Sequence, residues 1–162
     1  MHPVDNLLSW LPPFDFAVLD HGFEPHGRDY FLVVQDTLGG DPGTHRLVFT
    51  HVVHLDYETG VSDDAWRRSL GDELTDYGAW QEAGEPDGYV WGTNWTNAYP
   101  GVSVLRSSEL ADDWGRRLGL EMFEMGLETD RFKLCLVFHS IRHTKLGDDI
   151  GTIGKVIVPR SG

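Results

Sequence analysis

The chain has 162 residues, 40% of them apolar and 12% aromatic, which is the composition of one ordinary globular domain and not of a disordered chain. Its formal net charge of −13 argues against binding to nucleic acid or to an anionic membrane, because both attract lysine and arginine. The charge is uneven, since residues 1–130 carry 24 acids and seven bases while residues 131–162 carry two acids and six bases.

The cysteine content and the N-terminal sequence predict a cytoplasmic protein. Cys135 is the only cysteine, so an internal disulfide is impossible. The first residues lack the basic and apolar regions of a signal peptide, and no apolar run is long enough to cross a bilayer. We therefore expect neither export nor a membrane partner.

The first third of the chain predicts a short helix or arm and then a β-hairpin. The helix or arm covers Asn6–Leu11 and ends at a proline pair. Asp29–Thr37 is rich in β-branched and aromatic residues, which favour a strand. Arg46–Tyr57 follows the turn signal at Gly39–Gly43 and is predicted as one second strand. Its inward-facing residues are expected to be Leu47, Phe49, Val53 and Leu55.

Two short helices are predicted next. Ser62 is a typical capping residue, two acids follow it, and Gly71 is a natural end for the first helix. The second helix includes Leu74 and ends before Gly84. The side chains expected to be buried by this pair are Trp66, Leu70, Tyr77 and Trp80.

The second half predicts two more hairpins around a third helix. Tyr89–Tyr99 and Val102–Leu105 are predicted to pair across a Pro-Gly turn. The helix Ser108–Leu118 carries an apolar stripe formed by Leu110, Trp114 and Leu118. Leu120–Glu128 and Arg131–Thr144 are predicted to pair across a Thr-Asp turn, and a last strand includes residues 156–158.

Strands in hairpins with helices between them predict the α+β class. We expect a mostly antiparallel sheet built from hairpins, with about three short helices packed on it. No linker divides the sequence, so we expect residues 1–162 to form a single domain. Within it we distinguish an N-terminal arm at 1–13 and a C-terminal strand or tail at 145–162.

The segment from Asp56 to Asp87 combines ten acidic residues with two arginines and four large aromatic residues. Disordered acidic tails are poor in aromatic residues, so this pattern indicates a folded negative surface that suits a basic partner. The predicted partner-binding residues are Asp63, Asp64, Asp72, Glu73, Asp76, Glu82, Glu85 and Asp87, with Trp66 and Trp80 beside them.

The sequence predicts no metal site, no cofactor and no catalytic residue. His51 and His54 would point to opposite faces of a strand, and His139 would lie about 13 Å from His143. The apolar neighbours of Cys135 indicate a strand interior and not a nucleophile. Phosphate-loop, dinucleotide and serine-hydrolase motifs are absent.

A row of aromatic residues offers a second kind of site. On one predicted strand, Tyr89, Trp91, Trp95 and Tyr99 share a face. Exposed aromatic rings stack on sugars or anchor partners, whereas buried ones fill a core. We expect most of these four rings to lie in the core, with one or two reaching the surface.

Several phrases of the sequence resemble the YxiG-like proteins of bacteria. They are Trp66-Arg67-Arg68-Ser69-Leu70, Leu74-Thr75-Asp76-Tyr77, Pro86-Asp87-Gly88-Tyr89-Val90-Trp91-Gly92 and Tyr99-Pro100-Gly101. Strands at Asp29-Tyr30 and Leu136-Val137-Phe138 fit the same pattern, so the resemblance covers residues 14–144. It implies no catalytic or binding residue, and it implies for some relatives a place among bacterial toxin–immunity loci.

These observations favour a non-enzymatic, acidic protein-binding domain. We expect a cytoplasmic immunity protein that neutralises a basic, nuclease-type bacterial toxin and does not bind nucleic acid itself. The alternatives are a small-molecule or carbohydrate-binding domain that uses the aromatic row, or an enzyme of unrecognised type. Such an enzyme would need a cleft that brings His51 or His139 to a carboxylate.

Overall fold

The computed structural model describes residues 3–9, 11–71, 74–85, 90–93, 95–105 and 107–148. Within these ranges the chain forms four helices and nine strands. In chain order they are α1 (Pro3–Leu8), β1 (Ala17–Phe23), β2 (Tyr30–Asp36), β3 (Gly43–Thr50), β4 (His54–Thr59), α2 (Asp63–Ser69), α3 (Tyr77–Glu82), β5 (Thr96–Asn97), β6 (Gly101–Leu105), α4 (Glu109–Leu118), β7 (Phe123–Glu128), β8 (Phe132–Phe138) and β9 (Ser140–Gly147). None of these helices has the length and apolarity that a bilayer span requires. The strand predicted at residues 156–158 lies outside the described residues.

The strands form two antiparallel sheets with one shared core. Their orders are β5-β1-β2-β3-β9 and β4-β8-β7-β6. Every second residue of β8 is buried, as the two-residue period of a strand with one inner face dictates. The core combines Leu32, Val34, Leu47 and Phe49 of the first sheet with Met125, Leu127, Leu134, Leu136 and Phe138 of the second. The predicted α+β class with antiparallel pairing is confirmed, although the strands divide between two sheets.

Two strands that the sequence predicts as continuous each bend from one sheet into the other. Residues 43–50 pair with β9 in the first sheet, and residues 54–59 pair with β8 in the second. The bends fall at His51, whose φ is 52°, and at His139, whose N–H donates to the Thr50 carbonyl oxygen over 2.9 Å. The predictions of single strands over Arg46–Tyr57 and Arg131–Thr144 are therefore wrong, because hydrophobic alternation does not report where a ribbon changes sheet.

Asp29 stabilises this corner from the end of the neighbouring loop. Its side chain is 1% exposed, and its Oδ1 accepts from Arg28 Nε over 2.8 Å and from the His51 backbone N–H over 3.1 Å. Arg142 Nη2 lies 3.3 Å from its Oδ2. The hydrogen bond from Arg28 lowers the pKa of the Asp29 carboxyl to about 2, against the opposing effect of burial. His51 is not a glycine, and positive φ is an unfavourable conformation for such a residue. The bond from its N–H to Asp29 helps to stabilise the bend, because a backbone N–H without an acceptor would add to this cost.

The three predicted helices are confirmed, although Leu74, which was expected in the second helix, precedes α3. Ser62, Asp76 and Ser108 each accept a hydrogen bond from the N–H three residues later. Their apolar faces differ from the prediction, because these helices are short and bury alanines: Ala65 in α2 and Ala111 in α4. Leu70 is 87% exposed, Leu118 46% and Trp66 45%, so their predicted burial is wrong.

The hairpins at Gly39–Gly43 and at the Thr-Asp turn are confirmed as β2–β3 and β7–β8. The hairpin predicted between Tyr89–Tyr99 and Val102–Leu105 is wrong. Among the described residues of the first segment, β5 is the only strand, and it pairs with β1, whereas β6 pairs with β7 in the other sheet. The chain crosses between sheets at Gly101, where the Val102 N–H donates to the Pro13 carbonyl oxygen over 2.6 Å.

Candidate functional site

A cleft of about 320 Å³ opens between β1 of the first sheet and β4 and β8 of the second. Five aromatic rings line it: those of Tyr57, Trp66, Trp91, Trp95 and Phe132. Its ionisable lining residues besides Tyr57 are Asp20, His21 and Arg131. The volume lies at the lower end of the range of about 300–1,000 Å³ that is usual for ligand pockets.

A β-bulge in β1 shapes one wall of the cleft. Val18 pairs with Val34 and Asp20 with Val33, so Leu19 is an extra residue in the ladder. A bulge changes the direction in which the following side chains point, and bulges are common beside functional sites. After this bulge, the Asp20 side chain is exposed and the His21 ring packs 4.6 Å from the ring of Phe132, centroid to centroid.

The opposite wall comes from β4 and α2. Tyr57 and Thr59 lie on the same face of β4, because their separation of two equals the period of a strand. The hydroxyl of Thr59 accepts a hydrogen bond of 3.0 Å from Trp66 Nε1, which fixes the indole at the mouth of the cleft. The rings of Trp66 and Trp91 lie 4.7 Å apart, and 45% of Trp66 is exposed.

The β7–β8 turn holds the loop that carries the other two tryptophans. Arg131 donates to the carbonyl oxygens of Val90, over 3.2 Å, and Thr93, over 3.4 Å. Asp130 accepts from the Asn97 N–H over 3.1 Å and from the Thr96 hydroxyl. The loop that contains Trp91 and Trp95 is therefore tied at both ends to a rigid hairpin, which predisposes the cleft to keep its shape.

Burial controls the charge of the inner groups. His21 Nδ1 lies 2.7 Å from the Tyr30 hydroxyl oxygen. Burial lowers the pKa of His21, and the nearby Asp20 carboxylate only partly opposes this shift. The imidazole is therefore uncharged at neutral pH. Burial also raises the pKa of the Tyr30 hydroxyl to about 12.

The predicted acidic residues that the structure describes are exposed on the surface. Asp63 and Asp64 are exposed in the first turn of α2, the helix that supplies Trp66, and Glu82 and Glu85 are exposed at and after α3. Asp76 is exposed as well, but its carboxylate caps α3 through the Ala79 N–H. Trp80 is half-buried against Tyr77, with ring centroids 5.5 Å apart. Asp72, Glu73 and Asp87 lie outside the described residues.

The predicted aromatic row is divided by the fold. Trp91 and Trp95 both line the cleft, whereas Tyr99 is 62% exposed on the surface and is not a lining residue. Tyr89 lies outside the described residues. Sequence reasoning missed Asp20, His21 and Arg131 as lining residues, because only the pairing of distant strands brings them together. The one available signal was the β7–β8 turn, which was predicted correctly.

The remaining candidate residues, His51, His139 and Cys135, are not lining residues of the cleft. The rings of His51 and His139 lie 5.7 Å apart, and His139 Nδ1 bonds to the Glu121 carbonyl oxygen over 2.8 Å. The described residues contain no group of three or more His, Cys, Asp or Glu that could hold a metal ion. Cys135 is half-buried and its thiol donates to Glu124 over 3.1 Å. Burial, with this bond, raises the pKa of the thiol to about 12.

A second groove, of about 420 Å³, lies between α4 and β7. Its lining includes Ser108 and Glu124, which bond to each other, and the same carboxylate accepts the thiol bond from Cys135. Phe123 is its one aromatic lining residue in the described part of the chain. These polar groups satisfy one another, so the aromatic cleft remains the better candidate site.

Comparison with known proteins places the chain in a family without assigning an activity. No curated protein sequence matches it. A solved structure, described as the crystal structure of an uncharacterized protein from Neisseria gonorrhoeae, is similar with a TM-score of 0.35 and 10% sequence identity, over 82% of this chain and 93% of that one. The model of the YxiG-like protein family matches residues 2–153, further at both ends than the resemblance predicted from residues 14–144, and the chain belongs to this family.

Proposed function

We propose that this chain is a non-enzymatic binding protein for a basic protein partner and acts as an immunity protein that neutralises a nuclease-type toxin. One observation carries the proposal: the acidic helix α2 supplies Trp66, which lies at the mouth of the aromatic cleft. Negative charge and exposed aromatic surface therefore lie side by side. Charge speeds encounter with a partner, and desolvated aromatic side chains supply most of the binding energy.

The ion pair that Asp64 forms within α2 is long and exposed. The ion pair of Asp64 with Arg67 spans 3.9 Å and both side chains are about 70% exposed, at 69% and 71%. Such a pair is weak in water, so it offsets little of the negative electrostatic potential that the carboxylates present to a partner. With a net charge of −13, that field attracts a strongly basic protein.

A nuclease is a suitable partner because its active face must be basic where it meets phosphate. An acidic protein that covers this face competes with the nucleic acid for the same cationic side chains. Charge complementarity gives fast association, and buried hot-spot residues give slow dissociation.

The second candidate function is small-molecule or carbohydrate binding in the cleft. Its supporting observation is the concave shape of a site that contains both Trp91 and Trp95. Tryptophan rings stack on the apolar faces of sugars. This candidate predicts that a soluble glycoside occupies the cleft without any protein partner.

The main proposal is tested by neutralising the acids of α2. The double variant Asp63→Asn with Asp64→Asn is compared with the matched control Asp112→Asn with Asp113→Asn, which removes the same charge from exposed sites on α4. The partner is sought among basic proteins encoded beside this chain, and its affinity is measured by calorimetry at several salt concentrations. The α2 variant is expected to bind the partner about tenfold more weakly and with a smaller salt dependence, while the control binds within about twofold of the parent.

Two outcomes contradict the proposal. Affinity that does not change with ionic strength removes the electrostatic argument. Equal losses for the α2 and α4 variants show that only the total charge matters and that α2 is not at the interface.

A further inference from the structure

The aromatic cleft combines exposed ring faces with a single exposed carboxylate. Tyr57 is 55% exposed and Trp66 is 45% exposed, and Asp20 is exposed on β1 across the cleft from them. The faces of aromatic rings carry negative electrostatic potential, and tryptophan attracts cations more strongly than tyrosine or phenylalanine does. The walls therefore offer a cation two sources of attraction.

The only full positive charge among the described lining residues is on Arg131, which is already occupied. Its guanidinium donates to the carbonyl oxygens of Val90 and Thr93 and to the Thr93 hydroxyl. The Asp20 carboxylate is exposed, and its Oδ1 accepts from the His21 backbone N–H over 2.9 Å. His21 is uncharged at neutral pH because burial lowers its pKa. The formal charge of the lining is therefore close to zero. The nearby acids of α2 then make the electrostatic potential at the cleft negative, which attracts a cation.

Several polar groups of the lining already bond within the protein. The Thr59 hydroxyl accepts from Trp66 Nε1 and from the Val61 N–H, and the Thr96 hydroxyl donates to Asp130. Trp95 Nε1 meets no hydrogen-bond partner in the described part of the chain, but it is buried from solvent and cannot reach a ligand in the open cleft. Specific recognition of a polyhydroxylated ligand needs several free donors and acceptors.

A guanidinium group matches these features better than an ammonium group. It is planar, weakly hydrated and able to stack on aromatic faces while its N–H groups bond to a carboxylate. The same chain uses this contact elsewhere, since the Arg117 guanidinium carbon lies 3.8 Å from the ring centroid of Trp114.

We infer that the cleft receives an arginine side chain of the basic partner, stacked on Trp66 and paired with Asp20. This inference rests on the proposed function, because it makes the cleft the anchoring pocket of the interface that α2 borders. The aromatic walls desolvate the guanidinium, and the Asp20 carboxylate gives the interaction its charge specificity.

The test uses the intact protein and a small probe, so that it does not depend on the partner. The probe is N-acetylarginine amide, and its matched control is N-acetylcitrulline amide, which has nearly the same shape but no charge. Binding is followed by NMR through the indole N–H signals of the six tryptophans. The arginine probe is expected to shift signals of the cleft tryptophans and to bind at least about tenfold more tightly than the citrulline probe.

Variants locate the binding. Trp66→Ala and Asp20→Asn are each expected to weaken binding of the arginine probe about fivefold to tenfold. Glu58→Gln is the matched control, because it removes an exposed charge from β4 without touching the cleft lining. It is expected to leave the affinity within about twofold of the parent.

Three outcomes overturn the inference: equal binding of the arginine and citrulline probes, no shift of the cleft indole signals, or tighter binding of a methyl glycoside in the cleft. The glycoside result supports the small-molecule candidate instead. The two proposals can also fail separately. If Trp66→Ala leaves the affinity for the partner unchanged while Asp63→Asn with Asp64→Asn weakens it, only the cleft inference fails. If the arginine probe binds but Asp63→Asn with Asp64→Asn does not change the affinity for the partner, only the proposed function fails.

Discussion

Replacing the buried carboxylate of Asp29 tests the account of the bend that connects the two sheets. Asp29 accepts hydrogen bonds from Arg28 and from the backbone N–H of His51, the residue at which the ribbon turns. Asp29→Asn keeps an oxygen that can accept the His51 bond but removes the charge. Asp29→Ala removes both, so the two variants separate the charge from the hydrogen bond.

The magnitude follows from the pKa of the Asp29 carboxyl, which falls from 3.8 to about 2 chiefly because of the bond from Arg28. A pKa difference of one corresponds to about 1.4 kcal/mol, so the upper limit for the charge is about 2 kcal/mol. Arg28 and Arg142 are 55% and 66% exposed, and solvent screening reduces the contribution of such groups. We therefore expect Asp29→Asn to lower the free energy of unfolding by about 1–2 kcal/mol, and Asp29→Ala by about 1 kcal/mol more because the His51 N–H loses its acceptor.

The pH dependence has a definite sign. A carboxyl whose pKa is lower in the folded state stabilises the protein above its unfolded pKa, and this stabilisation disappears as the pH falls through the folded pKa. The difference between parent and Asp29→Asn should be constant above about pH 5 and should shrink as the pH falls toward 2. Comparing the two proteins cancels the titration of the other carboxylates.

The assay is urea unfolding followed by tryptophan fluorescence at several pH values. Asp56→Asn is the control, because Asp56 is a carboxylate with a 77% exposed side chain that pairs with His54 over 2.9 Å. It is expected to change the unfolding midpoint by less than a quarter of the Asp29→Asn effect. An Asp29→Asn protein as stable as the parent at neutral pH, or a difference that does not shrink in acid, would refute the role assigned to this carboxylate.

Three further predictions concern other sites. Trp114→Ala should lower the free energy of unfolding by about 1–3 kcal/mol, less than the 3–5 kcal/mol usual for a fully buried tryptophan, because the ring is half-buried; a loss above that range in chemical denaturation would place it in the core. Gly101 has a φ of 96°, and a Cβ added there is forced against a backbone carbonyl oxygen, so Gly101→Ala should lower the free energy of unfolding by more than about 3 kcal/mol. Gly119 has a φ of 66° and open space around it, so Gly119→Ala should lower that free energy by about 1–2 kcal/mol. Equal melting temperatures for the two variants would contradict this account. The thiol pKa of Cys135 is raised to about 12, so this residue should react slowly with Ellman's reagent at mildly alkaline pH. Glu124→Gln should speed the reaction, because the Glu124 carboxylate contributes to raising that pKa. A fast reaction of the parent protein would show that the thiol is not protected.

The local features of this protein follow from the sequence because their causes are local. Capping side chains bond to N–H groups three residues away, so Ser62 correctly marked the start of its helix. Turn residues and the two-residue period of strands likewise identified the β2–β3 and β7–β8 hairpins. The surplus of acids predicted a solvated surface on α2, because isolated charges are rarely buried.

Only the tertiary structure decided which sheet each strand joins and what the cleft contains. The bend at His51 depends on Asp29 and Arg142, which are distant in sequence. Trp91, Trp95 and Tyr99 do not share one strand. Trp91 and Trp95 nevertheless line a common cleft, because Arg131 and Asp130 tie their loop to the β7–β8 turn. These contacts join residues that are 22 or more positions apart, and sequence periodicity describes only neighbours along the chain.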